Sequence, residues 1–178
     1  MNTRSLLTIA RAVVFVVVGA IFVRSLSPPQ SPTGSLAFLS AAPSLPICDR
    51  AGKMVDLTKE KGRLVIIHFW ATWCPPCVEE VPALSKFWEK YRGRDDLVLY
   101  TVSEDKDWKT IDDFSTKNPN TLPVYRDLNS ATAQRFGSSQ YPETYIVNKN
   151  GRVIYRVQGA IEWSDAAIQQ RIDQLLNS

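Results

Sequence analysis

The order of apolar runs predicts an α/β domain, a mixed central sheet flanked by helices, preceded by an N-terminal transmembrane or signal segment. Three observations carry this. Leu64 to Ala71 is almost continuously apolar, as a strand buried on both faces requires. It runs through Trp70 and Trp73 into Cys74-Pro75-Pro76-Cys77, after which Val78, Val81, Leu84, Phe87, Trp88 and Tyr91 recur at helical spacing. Near the C-terminus, Thr144 to Val147 and Val153 to Val157 flank the turn Asn148-Lys149-Asn150-Gly151, a hairpin signal.

Taken in order, the chain divides into three parts. Residues 1-24 contain an apolar stretch from Leu6 to Val23 interrupted only by Arg11. At a rise of about 1.5 Å per residue it spans roughly 27 Å, enough to cross a membrane if Arg11 reaches the headgroups. Arg4 and Arg11 on one side outweigh Arg24 on the other, which favours an internal N-terminus and an external domain. A cleaved signal peptide is the competing reading. Residues 25-46, with Pro28, Pro29, Pro32, Pro43, Pro46 and many serines, are expected to be a linker. The folded domain is then residues 47-178.

Within it, Lys53 to Leu57 is expected as a short edge strand and Thr58 to Arg63 as a charged turn. The central strand follows, then a helix from Pro75 to Tyr91, with Pro75 suited to its first position and Pro82 expected to kink it. Asp96 to Ser103 reads as a strand, Lys106 to Lys117 as a helix and Leu122 to Tyr125 as a short strand. Ser130 to Phe136 is a short helix closed by Gly137. After the hairpin, Ala166 to Leu176 closes the domain as an amphipathic helix.

Composition excludes several functions. The net charge of +3 comes from Arg4, Arg11 and Arg24, so the rest of the chain is balanced and offers no basic patch for nucleic acid. Three cysteines leave one over, Cys48, expected to be a buried or free thiol at the domain edge, with intermolecular pairing open. With His68 as the sole histidine, a metal site is not expected, and no cofactor is implied.

Two thiols two residues apart, at the start of a helix that follows a buried strand, allow one sulfur to attack a disulfide and the other to resolve the adduct. Cys74 falls at the helix N-cap, where free N–H groups favour a thiolate. Pro76 removes one of those donors and leaves mainly the Cys77 N–H. Weaker thiolate stabilisation predicts a reductant, with a potential nearer about −270 mV than about −120 mV. Glu80, one turn beyond Cys77, and Glu143 are candidate acceptors of the Cys77 proton. His68 is either a possible proton relay behind the cysteines or a core histidine satisfied by a backbone carbonyl. Trp73 is expected on the exposed rim, with Trp70 either there or in the core.

The motifs FWATWCPPCVEEVP at 69 to 82, LPVYRD at 122 to 127 and YPETYIVNKNGRVIYRVQG at 141 to 159 resemble the thioredoxin-like superfamily. They are most similar to its membrane-anchored branch of TlpA, ResA and DsbE-like cytochrome c maturation oxidoreductases. The resemblance implies a thioredoxin-like fold with Cys74 as nucleophile and Cys77 as resolving thiol, together forming the redox-active disulfide. It implies a cis Pro142 facing them, and Trp73, Pro75, Pro76, Tyr141 and Pro142 as the substrate-binding surface. His68 departs from the family, which has aspartate or asparagine there, and Gln140 stands where glycine is common.

By this resemblance the protein acts on disulfide-bonded or cysteine-containing extracytoplasmic proteins, apocytochrome c among them. A membrane thiol-reducing electron donor re-reduces it, and residues 6-23 hold it in the bacterial inner membrane with its domain in the periplasm. A general or copper-stress-linked periplasmic thiol reductase is the alternative. A soft-metal carrier using the cysteines, and a redox-inert binding module, are readings from other classes.

Overall fold

The computed structural model describes residues 40–178. Six strands form one sheet: β1 (Ile47–Cys48), β2 (Leu64–Trp70), β3 (Leu97–Ser103), β4 (Val124–Asp127), β5 (Glu143–Val147) and β6 (Val153–Gln158). Their order is β1-β4-β3-β2-β5-β6. The inner strands β2, β3 and β4 are parallel, while β1, β5 and β6 each run antiparallel to their neighbours. The helices are α1 (Pro75–Tyr91), α2 (Trp108–Lys117), α3 (Ala131–Phe136) and α4 (Ala166–Leu176).

Every residue of β2 is buried, because the strand lies at the centre of the sheet with helices on both sides. Val65, Ile67 and Phe69 pack with Ala133 and Phe136 of α3 and with Tyr145 of β5. Leu64 and Ile66 face the other way, onto Leu84, Phe87 and Tyr91 of α1 and Ile172 and Leu176 of α4. Each such side chain contributes about 1.5–3 kcal/mol on burial. Strand alternation therefore commits His68, two residues beyond Ile66, to the α1 side.

The edge of the sheet differs from expectation. The strand is Ile47–Cys48, paired with Asp127 and Arg126, and of the segment 53 to 57 only Met54 makes a bridge, to Cys48. Asp49 explains the displacement. Its carboxylate accepts the N–H groups of Ala51 and Lys53, folding the chain back at Gly52, whose φ of +78° suits glycine. Asp56 then caps a short 3-10 turn at Leu57–Glu60, and Val55, whose N–H donates to Ile47 O at 3.0 Å, packs on the core with Leu57.

The domain also begins earlier than expected. Ala41 bridges Arg152, the Ala42 N–H donates to Gly151 O at 2.9 Å, and Leu45 is buried. Part of the Pro/Ser-rich stretch thus packs on the domain. Pro82 lies on the exposed side of α1, which runs through it from Pro75 to Tyr91. Among the described residues no helix is long and apolar enough to cross a membrane, and the expected span at residues 6-23 lies outside them.

Candidate active site

β2 delivers the chain from the centre of the sheet into the turn 71 to 73 and then into α1. Asp105, just beyond β3, fixes that turn. Its carboxylate accepts the Thr72 N–H (3.0 Å), the Thr72 hydroxyl (2.7 Å) and the Ser103 hydroxyl (2.8 Å). The Cys74 N–H donates to Ala71 O at 3.2 Å, and α1 starts with Pro75 and Pro76. Two prolines are tolerated there because the first helical N–H groups have no intrahelical acceptor.

Cys74 is the N-cap residue, and its Sγ accepts the Cys77 N–H at 3.4 Å. The two sulfurs are joined as a disulfide, with the Cα atoms 5.3 Å apart. Cys77 is fully buried, while Cys74 is 5% exposed, so an incoming thiolate has access to Cys74 first. Trp73 is 63% exposed and its ring meets that of Tyr141 edge-on, with centroids 5.9 Å apart. Trp70 is instead core, packed on Phe114. The Tyr141-Pro142 bond is cis, and Tyr141 packs against the cluster that holds both cysteines. Pro75 and Pro76 are exposed beside them, completing an apolar rim.

Behind the cysteines lies a buried polar chain. Glu80 Oε1 is 2.9 Å from His68 Nε2, and His68 Nδ1 is 3.0 Å from the Thr144 hydroxyl. Glu80 Oε2 accepts the Ile161 N–H at 2.9 Å. Trp163 closes the pocket edge-on to His68. His68 therefore finds a carboxylate and a hydroxyl as partners. Pro76, Glu79, Glu80, Ala83, Ala160, Ile161 and Glu162 line a cleft of about 290 Å³ that gives Glu80 a way to solvent.

Glu143 is not brought to this group. It is paired in register with Phe69, one position before Thr144, so alternation turns it to the opposite face. There it is fully buried and accepts from Arg156 Nε, while the same guanidinium donates to Gly137 O. The expectation of a second acceptor for the Cys77 proton gives way to an ion pair that braces the start of β5. Cys48 is a buried free thiol at the sheet edge. Among the described residues, no group of His, Cys, Asp and Glu could hold a metal ion.

Sequence reasoning missed Asp105 and Glu104. Both follow the last residue of β3, where apolar periodicity stops and carries no further signal. A cleft of about 510 Å³ lies toward the starts of β2 and β3 and contains neither cysteine of the disulfide.

A helix-capping CXXC disulfide packed beside Tyr141 of a Tyr141-cis-Pro142 pair, on a mixed sheet of this order, defines a thiol-disulfide oxidoreductase with a thioredoxin-like fold. The chain belongs to the Redoxin family, whose model matches residues 32–172. It is 27% identical to the thiol-disulfide oxidoreductase ResA of Bacillus thuringiensis subsp. konkukian over 66% of this chain and 68% of that protein. Identity is also 27% to ResA of Geobacillus thermodenitrificans, over 79% of each chain. Among solved structures, a candidate thiol:disulfide interchange protein DsbE from Chlorobium tepidum superposes with a TM-score of 0.70 at 25% identity. That match covers 80% of this chain and 99% of the other. The substrates are accordingly cysteine-containing proteins.

Proposed function

We propose that the domain works outside the cytoplasm as a disulfide reductase, anchored in the bacterial inner membrane by residues 6-23. The observation that carries the direction of electron flow is the sparse cap of Cys74. Pro76 contributes no N–H, which leaves the Cys77 N–H, 3.4 Å from Sγ, as the cap donor. A poorly stabilised thiolate makes the dithiol the better electron source.

In the reduced protein the Cys74 thiolate attacks one sulfur of a partner disulfide, forming a mixed disulfide and expelling the first partner thiolate. Cys77 then gives its proton to Glu80 and attacks Cys74 Sγ, expelling the second. The partner gains two electrons and the Cys74-Cys77 disulfide forms. Glu80 suits this step because it lies one turn from Cys77, with Oε2 held by the Ile161 N–H and the buried Oε1 only 2.9 Å from His68 Nε2. Trp73, Pro75, Pro76, Tyr141 and Pro142 form the surface on which an extended partner docks. A membrane thiol-reducing donor returns the two electrons through the reverse exchanges.

The partner favoured by the Tyr141-Pro142-Glu143-Thr144 sequence is apocytochrome c, whose haem-binding cysteines must be reduced before haem attachment. Trapping tests this. A Cys77→Ser variant expressed in cells should hold its substrate as a mixed disulfide on Cys74, and recovery of apocytochrome c is expected. Recovery of unrelated periplasmic proteins would point to a general thiol reductase instead. An equilibrium potential above about −180 mV would overturn the reductase direction.

A further inference from the structure

Tyr141 and Pro142 sit in a loop, residues 138-142, that joins the end of α3 to the start of β5. One side chain from β6, Arg156, reaches both ends of that loop. Arg156 is paired with Tyr145 in the β5–β6 register and passes over the Tyr145 ring, its guanidinium carbon 5.6 Å from the centroid. Glu143 lies two residues before Tyr145 and so on the same face of the strand. There Arg156 Nε donates to Glu143 Oε1 at the exit of the loop, and Nη2 donates to Gly137 O, at its entrance, at 2.9 Å.

The entrance is otherwise short of donors. Gly137 caps α3 with a φ of +68°, and the last carbonyls of a helix have no intrahelical N–H to accept. The sheet supplies what the helix lacks: the Tyr145 hydroxyl donates to Phe136 O at 2.8 Å, and Arg156 takes the next carbonyl. Between the two fixed ends, Ser139 and Gln140 are exposed and Tyr141 is half-buried, its ring edge-on to Trp73. A loop held at both ends has less freedom to lose when a partner chain lies along it. Only a rigid fork of donors serves two acceptors in different directions at once, which a lysine ammonium on a flexible stem does not reproduce.

We propose that Arg156 is a positioning residue for partner docking: by tying Gly137 to Glu143 it pre-sets the loop that carries Tyr141 and Pro142, and so favours extended protein disulfides over small ones. The inference rests on the docking role proposed above for Tyr141. The exchanges at Cys74 and Cys77 are unchanged by it.

The test uses the full chain in its dithiol form and two oxidants. One is a peptide with a single internal disulfide, long enough to lie along Tyr141. The other is dipyridyl disulfide, which needs only the Cys74 thiolate. The quantity read is the ratio of their second-order rate constants. In Arg156→Lys this ratio is expected to fall about three- to tenfold, through the peptide alone. Ile47→Val, a buried change in β1 at the opposite edge of the sheet, loosens the core without touching the loop and should keep the wild-type ratio. Because Glu143 is fully buried, a second variant removes both charges together, Glu143→Leu with Arg156→Met, and leaves no unpaired ion. It should fold and show the same lowered ratio.

A wild-type ratio in either Arg156 variant, or an equal fall in Ile47→Val, overturns the proposal. Tyr141→Ala separates this failure from that of the docking role. If it lowers the ratio while the Arg156 variants do not, the loop docks partners without help from Arg156. If it leaves the ratio at the wild-type value, the docking role itself is overturned.

Discussion

Cys74 and Cys77 differ in what surrounds them, and that difference divides their roles. The sulfur at the N-cap has an N–H donor and an opening to solvent, whereas the sulfur one turn later is fully buried. Substituting Cys74 by serine should abolish disulfide reduction. Substituting Cys77 should leave the first exchange intact and arrest the reaction at the mixed disulfide, visible on a non-reducing gel. Glu80→Gln should slow the second exchange by about ten- to hundredfold in single-turnover experiments while sparing the first. His68→Asn should produce part of that loss, because it removes the group 2.9 Å from Glu80 Oε1. Equal slowing of both exchanges by Glu80→Gln would remove Glu80 from the proton path. The cysteines, the cis proline and the exposed Trp73 were all legible in the sequence. The partnership of His68 with Glu80 and Thr144 was not, since it joins β2, α1 and β5 and no local pattern encodes it. Glu143 misled for a related reason: it adjoins Pro142 in sequence, but the pleat turns it away from the cysteines.

β2 and α1 could be read from periodicity because burial on two faces and on one face leaves different apolar spacings. The edge strand could not. A carboxylate at Asp49 and a positive φ at Gly52 redirected the chain, and both act through backbone hydrogen bonds that apolar patterning does not register. The turn ahead of α1 is held in the same hidden way, by Asp105 reaching back to Thr72. Asp105→Ala removes a nearly buried acceptor of several hydrogen bonds and should cost about 2–4 kcal/mol. Urea unfolding of the oxidised protein checks this as a lower midpoint with an unchanged slope. An unchanged midpoint would mean that the turn is held by the flanking strand and helix alone.

For the molecule as a whole, Glu104 gives stability a pH dependence of definite sign. Its carboxyl ionises near 4.5 in an ordinary environment, and burial raises this to about 7 in the fold. Between those values the folded chain binds a proton that the unfolded chain has released, so this group makes stability fall as pH rises. Glu104→Gln should therefore unfold at a temperature a few degrees above wild type near pH 8, with the difference vanishing near pH 4. A constant difference across the range would assign the effect to packing instead. The buried Cys48 offers a separate measure of the same domain. The residue is 7% exposed on an edge strand, while the other two sulfurs are locked together in the oxidised protein. An alkylating reagent added to that form can mark Cys48 only when the sheet edge peels open. The labelling rate is thus a clock for fraying at the margin of the domain, one that ticks independently of the redox centre.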